Sequence, residues 1–238
     1  MMKTLKVLGF LLTYPTSEHQ SSLVDCRAIL QEENRLSSSS LAGVCQLIQW
    51  MEELNILDLQ EAYVDLFDRT PSLSLHLFEH IHGDSRERGQ ALVSLNELYT
   101  NAELMISTEE MPDFLPLFLE FLSVLPPQES QAHLSDAVNV IALVGDRLIN
   151  RDSPYAHVFV ALQEISQRKA DKKAVTESLQ KNAGKELSAK ELDEQWAEQF
   201  AFENTSQTTG ISEGCPMAQD MVRRMNSSEL PLTQKQES

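Results

Sequence analysis

The sequence predicts an all-α protein, and three of its features lead to that prediction. Apolar residues recur at helical spacing along several segments. No segment of strand length shows a convincing alternation of polar and apolar residues. Glycine is scarce, with 8 residues in a chain of 238, which argues against glycine-rich sandwiches and phosphate-binding loops. We therefore expect a single multi-helix domain at residues 1–165, a weaker helical extension at residues 166–202 and a disordered polar tail at residues 203–238.

The predicted helices of the domain can be placed from the amino terminus onward. The short apolar run at residues 7–12 is followed by Pro15 and fits a first amphipathic helix better than a signal peptide. The serine-rich run at residues 36–40 predicts a linker. Three longer apolar stripes predict further helices: Leu41, Val44, Cys45, Ile48, Met51 and Leu54; Leu59, Ala62, Tyr63, Leu66 and Phe67; and Leu134, Ala137, Val138, Ile141, Val144 and Leu148.

Another helix is predicted in the apolar segment that follows Asp113. Asp113 has the residue type of an N-cap, Pro116 is tolerated in a first turn, and Pro126 ends the helix. Nearly every position between them is apolar, on all faces, so this helix is expected at the centre of the domain. Glu120 is the exception, and we expect it to be buried and paired with an arginine.

A turn between two helices is predicted near residue 83. Thr70 and Pro71 have the residue types of an N-cap and a first helical position, and Gly83 has that of a helix terminator. Asp84, followed three residues later by Glu87, is typical of a capping box that opens a second helix. The two helices would form a corner rich in histidine, carboxylate and arginine side chains.

The charge of the chain limits its partners. It carries 36 acidic and 19 basic side chains, for a net charge of −17, and most of the excess falls within residues 1–165. This balance argues against nucleic acid, which needs a basic surface, and against docking on anionic lipids. No apolar run approaches the length of a membrane span, so we expect no stable membrane insertion. The expected partner is a basic, apolar helical peptide laid in a groove.

The cysteines indicate the compartment. Cys26, Cys45 and Cys215 are odd in number and far apart in the sequence. This usage fits a reducing compartment without a disulfide framework, and we expect a cytoplasmic protein.

The sequence leaves two alternative functions to consider. His76, Glu79 and His80 match the His-x-x-Glu-His pattern of inverted zinc proteases, and on one helix face they could present two imidazoles and a base to zinc. A zinc-dependent hydrolase is therefore an alternative, although no third ligand is marked downstream. A nucleotide-regulated chaperone is disfavoured because the chain has no glycine-rich phosphate loop.

Two blocks of the chain resemble a known family. The segments Leu66-Phe67-Asp68-Arg69 and Leu77-Phe78-Glu79-His80-Ile81-His82-Gly83-Asp84-Ser85-Arg86-Glu87-Arg88-Gly89-Gln90-Ala91 resemble the signature block of the NarJ family of nitrate reductase assembly chaperones. The segment from Met111-Pro112-Asp113 to Pro126 resembles the second block of that family. The resemblance covers about residues 3–202.

The resemblance implies both a fold and a function. The fold would be the all-helical domain of the TorD/NarJ-type maturation chaperones. The protein would not be an enzyme and would need no cofactor or metal of its own. It would bind the apo catalytic (alpha) subunit of respiratory nitrate reductase in the cytoplasm, at an N-terminal peptide related to twin-arginine signals. It would support molybdenum cofactor insertion before membrane attachment and leave the finished enzyme. Contact with proteins that deliver the molybdenum cofactor is left open.

We expect the client peptide to lie at the predicted corner and at the start of the buried helix. Apolar side chains would receive its apolar face, carboxylates would meet its positive charge, and the histidines would make binding depend on pH. The expected peptide-binding residues are Phe78, Glu79, His80, His82, Asp84, Arg86, Arg88, Asp113, Phe114 and Glu120. Asp68 and Arg69 are expected to be structural or to dock the body of the client, and no catalytic residue is expected.

Overall fold

The computed structural model describes residues 2–82, 86–106 and 110–171, together with residues 173 and 175. Within these ranges every regular element is a helix or a helical turn, which confirms the all-α prediction. The helices are α1 (Lys3–Phe10), α2 (Ser17–Ser21), α3 (Leu23–Glu33), α4 (Ser38–Glu53), α5 (Ile56–Tyr63), α6 (Glu79–His82), α7 (Arg86–Asn101), α8 (Leu115–Val124), α9 (Pro127–Asp136), α10 (Val138–Ile149) and α11 (Ala156–Ile165). A π-helical turn, Val64–Asp68, continues α5, and a 3-10 turn covers Pro71–Leu73.

Side-chain caps fix where several helices begin. The Thr16, Ser37 and Asn55 side chains accept backbone N–H groups at the starts of α2, α4 and α5. Asn34 ends α3 in the left-handed conformation, with φ of 47°. The predicted linker at residues 36–40 is therefore shorter than expected, because the cap at Ser37 lets α4 start within the serine run.

The core includes α1, α4, α8 and α10, which the apolar segments of the sequence predicted, and α3 and α11, which they did not. Helix α1 packs along α8, and α10 packs along α11. Helix α3 lies against α1, α4 lies against α11, and α3 and α4 contact each other. Gly9 permits the approach of α1 to α8, since a Cβ there would meet the Pro116 carbonyl oxygen at 3.0 Å. Most side chains of α8 are buried, as predicted: Leu115, Pro116, Phe118, Leu119, Phe121, Leu122 and Ser123.

Glu120 does not lie where the sequence predicted. Its side chain is 57% exposed, and Glu120 Oε1 accepts a hydrogen bond from Lys6 Nζ at 2.9 Å. The prediction of a buried glutamate paired with arginine is wrong, because α8 turns this one charged position toward the solvent edge beside α1.

The helix predicted between Pro71 and Gly83 is interrupted. The chain makes a single 3-10 turn at Pro71–Leu73 and then runs extended from Ser74 to His76. Leu77 and Phe78 form a turn, and only Glu79–His82 is helical again. The extended part bonds to residues 113–115, and this long-range pairing replaces the intrahelical hydrogen bonds that the local pattern indicated.

Two further differences concern the later helices. The stripe from Leu134 to Leu148 is split between α9 and α10 at Ala137. The Ser135 hydroxyl, near this break, accepts the N–H groups of Gln167 and Arg168, so the end of α9 is tied to the chain after α11. The predicted helices beyond residue 175 and the predicted disordered tail lie outside the described residues.

Within the described ranges, no helix is both long enough and apolar enough to cross a membrane.

Candidate functional site

The segment Ser74–Phe78 contacts residues 113–115, where α8 begins. We call these two segments, together with Glu79, His80 and Arg88, the corner. The two strands of chain run antiparallel, with an isolated bridge between His76 and Phe114. Leu77 N–H donates to the Asp113 carbonyl at 3.0 Å, and Leu115 N–H donates to the Leu75 carbonyl at 2.8 Å. The two sequence blocks singled out above are therefore in direct backbone contact.

Asp113 holds the corner from inside. Its side chain is fully buried, Oδ2 accepts the Phe78 N–H at 3.0 Å, and Oδ1 lies 3.3 Å from His76 Nδ1. Burial by itself would raise the pKa of Asp113, but the hydrogen bonds from His76 and Phe78, with the positive charges of His76 and Arg88, lower it overall. Asp113 is therefore not the N-cap that the sequence predicted, because Phe114 takes that position and the carboxylate faces the extended segment.

The two histidines of the corner are in opposite electrostatic environments. The hydrogen bond to Asp113 raises the pKa of His76 above its usual value, against the effect of burial. Burial lowers the pKa of His80, whose Nε2 donates to the Ser74 carbonyl at 2.8 Å, and the nearby Arg147 guanidinium lowers it further. The pKa values of the two rings are therefore shifted in opposite directions from the same ordinary value.

An ion pair joins the corner to α7. Arg88 Nη2 donates to Glu79 Oε1 at 2.9 Å, and the side chains are 22% and 35% exposed. Arg88 Nε is buried and meets no hydrogen-bond acceptor in the described part of the chain. Glu79 and Arg88, both predicted as peptide-binding residues, are thus already bound to each other.

Apolar side chains border the charged groups. The Phe114 ring lies 5.4 Å from the His76 ring between centroids, and Phe78 and Phe114 are half-buried. Nearby along the chain, Ile81 is 56% exposed and Met111 is 42% exposed. The corner therefore combines one partly exposed carboxylate, that of Glu79, with apolar surface.

Two residues that hold the corner in place were not predicted from the sequence. Arg147 is buried on α10 and donates from Nη1 to the Ser72 carbonyl at 2.5 Å, which fixes the start of the extended segment. Tyr99 is buried at the end of α7 and donates to the Pro112 carbonyl at 2.7 Å. Arg147 could have been predicted, because an arginine inside the apolar stripe of α10 indicates a buried, paired charge. The role of Tyr99 could not, because it depends on a contact across a loop.

Some predicted residues lie away from these contacts or outside the description. Asp68 and Arg69 are exposed, and Arg69 pairs with Asp65 one helical turn away. Glu120 pairs with Lys6 of α1. Asp84 and the side chains of His82 and Arg86 lie outside the described residues, so their predicted roles stay predictions.

The premise of the zinc alternative is not met in the described structure. His76 lies in the extended segment, whereas Glu79 and His80 begin α6, so the three do not share one helix face. His76 is bound to Asp113 and His80 to a backbone carbonyl. Among the described residues, no cluster of three or more histidine, cysteine or carboxylate side chains is arranged to hold a metal.

Comparisons with known proteins give the class of the protein. A crystal structure described as that of a redox enzyme maturation protein from Archaeoglobus fulgidus matches 68% of this chain and 91% of its own, with a TM-score of 0.51 and 22% identity. At that identity the likeness shows the fold alone. The chain therefore shares its helical fold with that protein.

The family is shown by sequence similarity. The model of the nitrate reductase delta subunit family matches residues 33–161. The nitrate reductase molybdenum cofactor assembly chaperone NarJ of Escherichia coli K12 is 35% identical over 201 residues, 83% of this chain and 84% of its own. NarW of the same organism, named as a chaperone of the same kind, is 32% identical over 198 residues, 83% of this chain and 82% of its own. The chain belongs to this family, which is one of assembly chaperones and not of enzymes.

Proposed function

We propose that the protein is the assembly chaperone of a respiratory nitrate reductase. It binds the apo catalytic subunit in the cytoplasm, holds it in a state that accepts the molybdenum cofactor, and leaves before the enzyme is attached to the membrane. The observation that carries this proposal is the 35% identity to NarJ across 83% of the chain. In this way the protein serves nitrate metabolism without taking part in catalysis.

We further propose that the chaperone recognises the N-terminal, twin-arginine-like peptide of that subunit at the corner. The net charge of −17 supports this choice, because an acidic protein attracts a cationic peptide over distance. The corner adds local support, since Glu79 is partly exposed beside half-buried Phe78 and Phe114. A peptide helix with arginines at one end and apolar residues along one face would meet both kinds of surface.

Calorimetric titration with a synthetic peptide tests this proposal. The peptide would comprise about the first 20 residues of the catalytic subunit, the length of an export signal. We expect saturable binding that is lost when the peptide sequence is scrambled and that weakens as the salt concentration rises. Because the scrambled peptide has the same charge, it controls for non-specific attraction. Equal binding of both peptides, or no binding of either, would contradict recognition of the N-terminus.

A further inference from the structure

Helix α7 is held to the described chain most firmly at two points. Near its end, Tyr99 is the one buried residue of its described part, and the Tyr99 ring lies 4.6 Å from Phe121 between centroids. Near its start, Arg88 pairs with Glu79. Between these points Val93 is 59% exposed, and the apolar positions Leu92, Leu95 and Leu98 are only half-buried. By the described residues alone, the apolar stripe of α7 is therefore incompletely covered.

The attachment at Arg88 is a weak one. One guanidinium nitrogen donates to Glu79 at 2.9 Å, but Nε is buried without an acceptor among the described residues. A buried donor that lacks a partner costs free energy, so the unpaired Nε lowers the net stability that the Arg88–Glu79 pair contributes. Glu79 is 35% exposed and can be reached from solvent, and the charge of Arg88 also acts on the buried Asp113. A second guanidinium arriving from solvent can therefore reach Glu79.

We propose that the Arg88–Glu79 ion pair is exchangeable, and that a client arginine takes the place of Arg88 on Glu79. The start of α7 is then released, and its apolar stripe becomes available to the apolar face of the same client segment. This inference rests on the proposed function, and it names the chemistry that the site selects: a guanidinium followed by an amphipathic helix. Arginine suits this exchange better than lysine, because its planar fork can engage a carboxylate through two hydrogen bonds.

The exchange is nearly balanced in electrostatic terms. One guanidinium–carboxylate contact is broken and one is formed. The apolar contact with α7 then decides whether the client stays bound, since burial of apolar surface is the favourable term that is added. A peptide that carries arginines without an apolar face, or an apolar face without arginines, should bind poorly.

The test compares two arginine substitutions in the full-length protein. Arg88→Gln removes the competitor for Glu79. Arg27→Gln is the matched control, because Arg27 pairs with Glu52 at 2.8 Å, with side chains 35% and 33% exposed, and joins α3 to α4. Both substitutions change the net charge equally, so long-range attraction of the peptide changes to the same extent. We expect Arg88→Gln to bind the N-terminal client peptide about threefold more tightly than Arg27→Gln, the effect of removing one partly exposed ion pair.

A second pair of titrations identifies the carboxylate. Replacing the peptide's arginines by glutamine should weaken binding to the wild-type protein and have little further effect on Glu79→Gln, because the exchanged contact is already lost there. Arg88→Lys keeps a competing charge and should bind like the wild type. Circular dichroism melting of each variant establishes that it is folded.

The outcomes separate this inference from the proposed function. If the wild type does not bind the peptide, the proposed function fails and the exchange fails with it. If the wild type binds but Arg88→Gln binds no more tightly than Arg27→Gln, the exchange alone is contradicted. If Arg88→Gln binds more weakly, as Glu79→Gln does, Arg88 is a structural partner of Glu79 and the exchange is likewise contradicted.

Discussion

Asp113 is a buried carboxylate that connects two parts of the chain that are distant in the sequence. Its oxygens receive the Phe78 N–H and face the His76 ring, and its own carbonyl receives the Leu77 N–H. A buried charge of this kind is stable only while these partners are present. We therefore expect the corner to depend strongly on this one side chain.

Asp113→Ala should lower the free energy of unfolding by about 3 kcal/mol, because it leaves the Phe78 N–H and His76 without their acceptor. Urea denaturation measures this change. Asp65→Ala is the control, because Asp65 forms an exposed ion pair with Arg69 on one helix and should matter little. A loss at Asp113 as small as that at Asp65 would show that the corner does not depend on this carboxylate.

The His76–Asp113 pair also gives the stability a defined pH dependence. The pKa of His76 is raised in the folded protein, chiefly by the hydrogen bond to Asp113, and the pKa of Asp113 is lowered. The contribution of His76 is thus complete below the ordinary histidine value of about 6.5 and is lost as the pH rises through the raised value. Asp113 stays ionised over this range.

The wild type should therefore exceed His76→Gln in stability by more at about pH 6 than at about pH 9. Urea denaturation of both proteins at the two pH values gives the difference directly. Burial lowers the pKa values of His19 and His80, so their effect on stability has the opposite sign, but both residues are present in both proteins and cancel. A difference that stays constant or grows with pH would contradict the pairing.

At the scale of elements, the apolar pattern of the sequence correctly predicted those helices that pack against other helices. The stripes of α4 and α5, and the all-round apolar character of α8, could be read directly from the sequence. The extended segment before α6 could not, because its conformation is set by hydrogen bonds to residues 113–115. Because of the same contacts, Asp113 does not cap α8 as predicted, and His76 does not share a helix face with Glu79 and His80.

Close packing of α10 on α11 predicts a strong effect at one glycine. A Cβ at Gly145 would lie 2.9 Å from Phe159 Cβ, so Gly145→Ala should destabilise the protein by about 2 kcal/mol. Gly89, in α7, has open space around it, and Gly89→Ala should stabilise the protein by about 0.5–1 kcal/mol through helix propensity alone. Thermal or urea denaturation of the two variants checks the contrast, and equal effects would mean that the two helices can move apart.

At the scale of the whole molecule, charge and family similarity give different kinds of information about the partner. The net charge of −17 argues against nucleic acid and anionic membranes and favours a basic peptide. Such reasoning reaches the class of partner but not its identity, since many cationic peptides share that charge. The identity of the client is inferred from the similarity to NarJ and NarW.

The most direct test of the chaperone role is the molybdenum content of the nitrate reductase catalytic subunit. The subunit would be purified from cells that lack their own chaperone of this family, with and without this chain, and analysed for metal. We predict molybdenum in the subunit made with the chain, little in the subunit made without it, and no chaperone in the finished enzyme. Equal molybdenum in both preparations would contradict an assembly role for this protein.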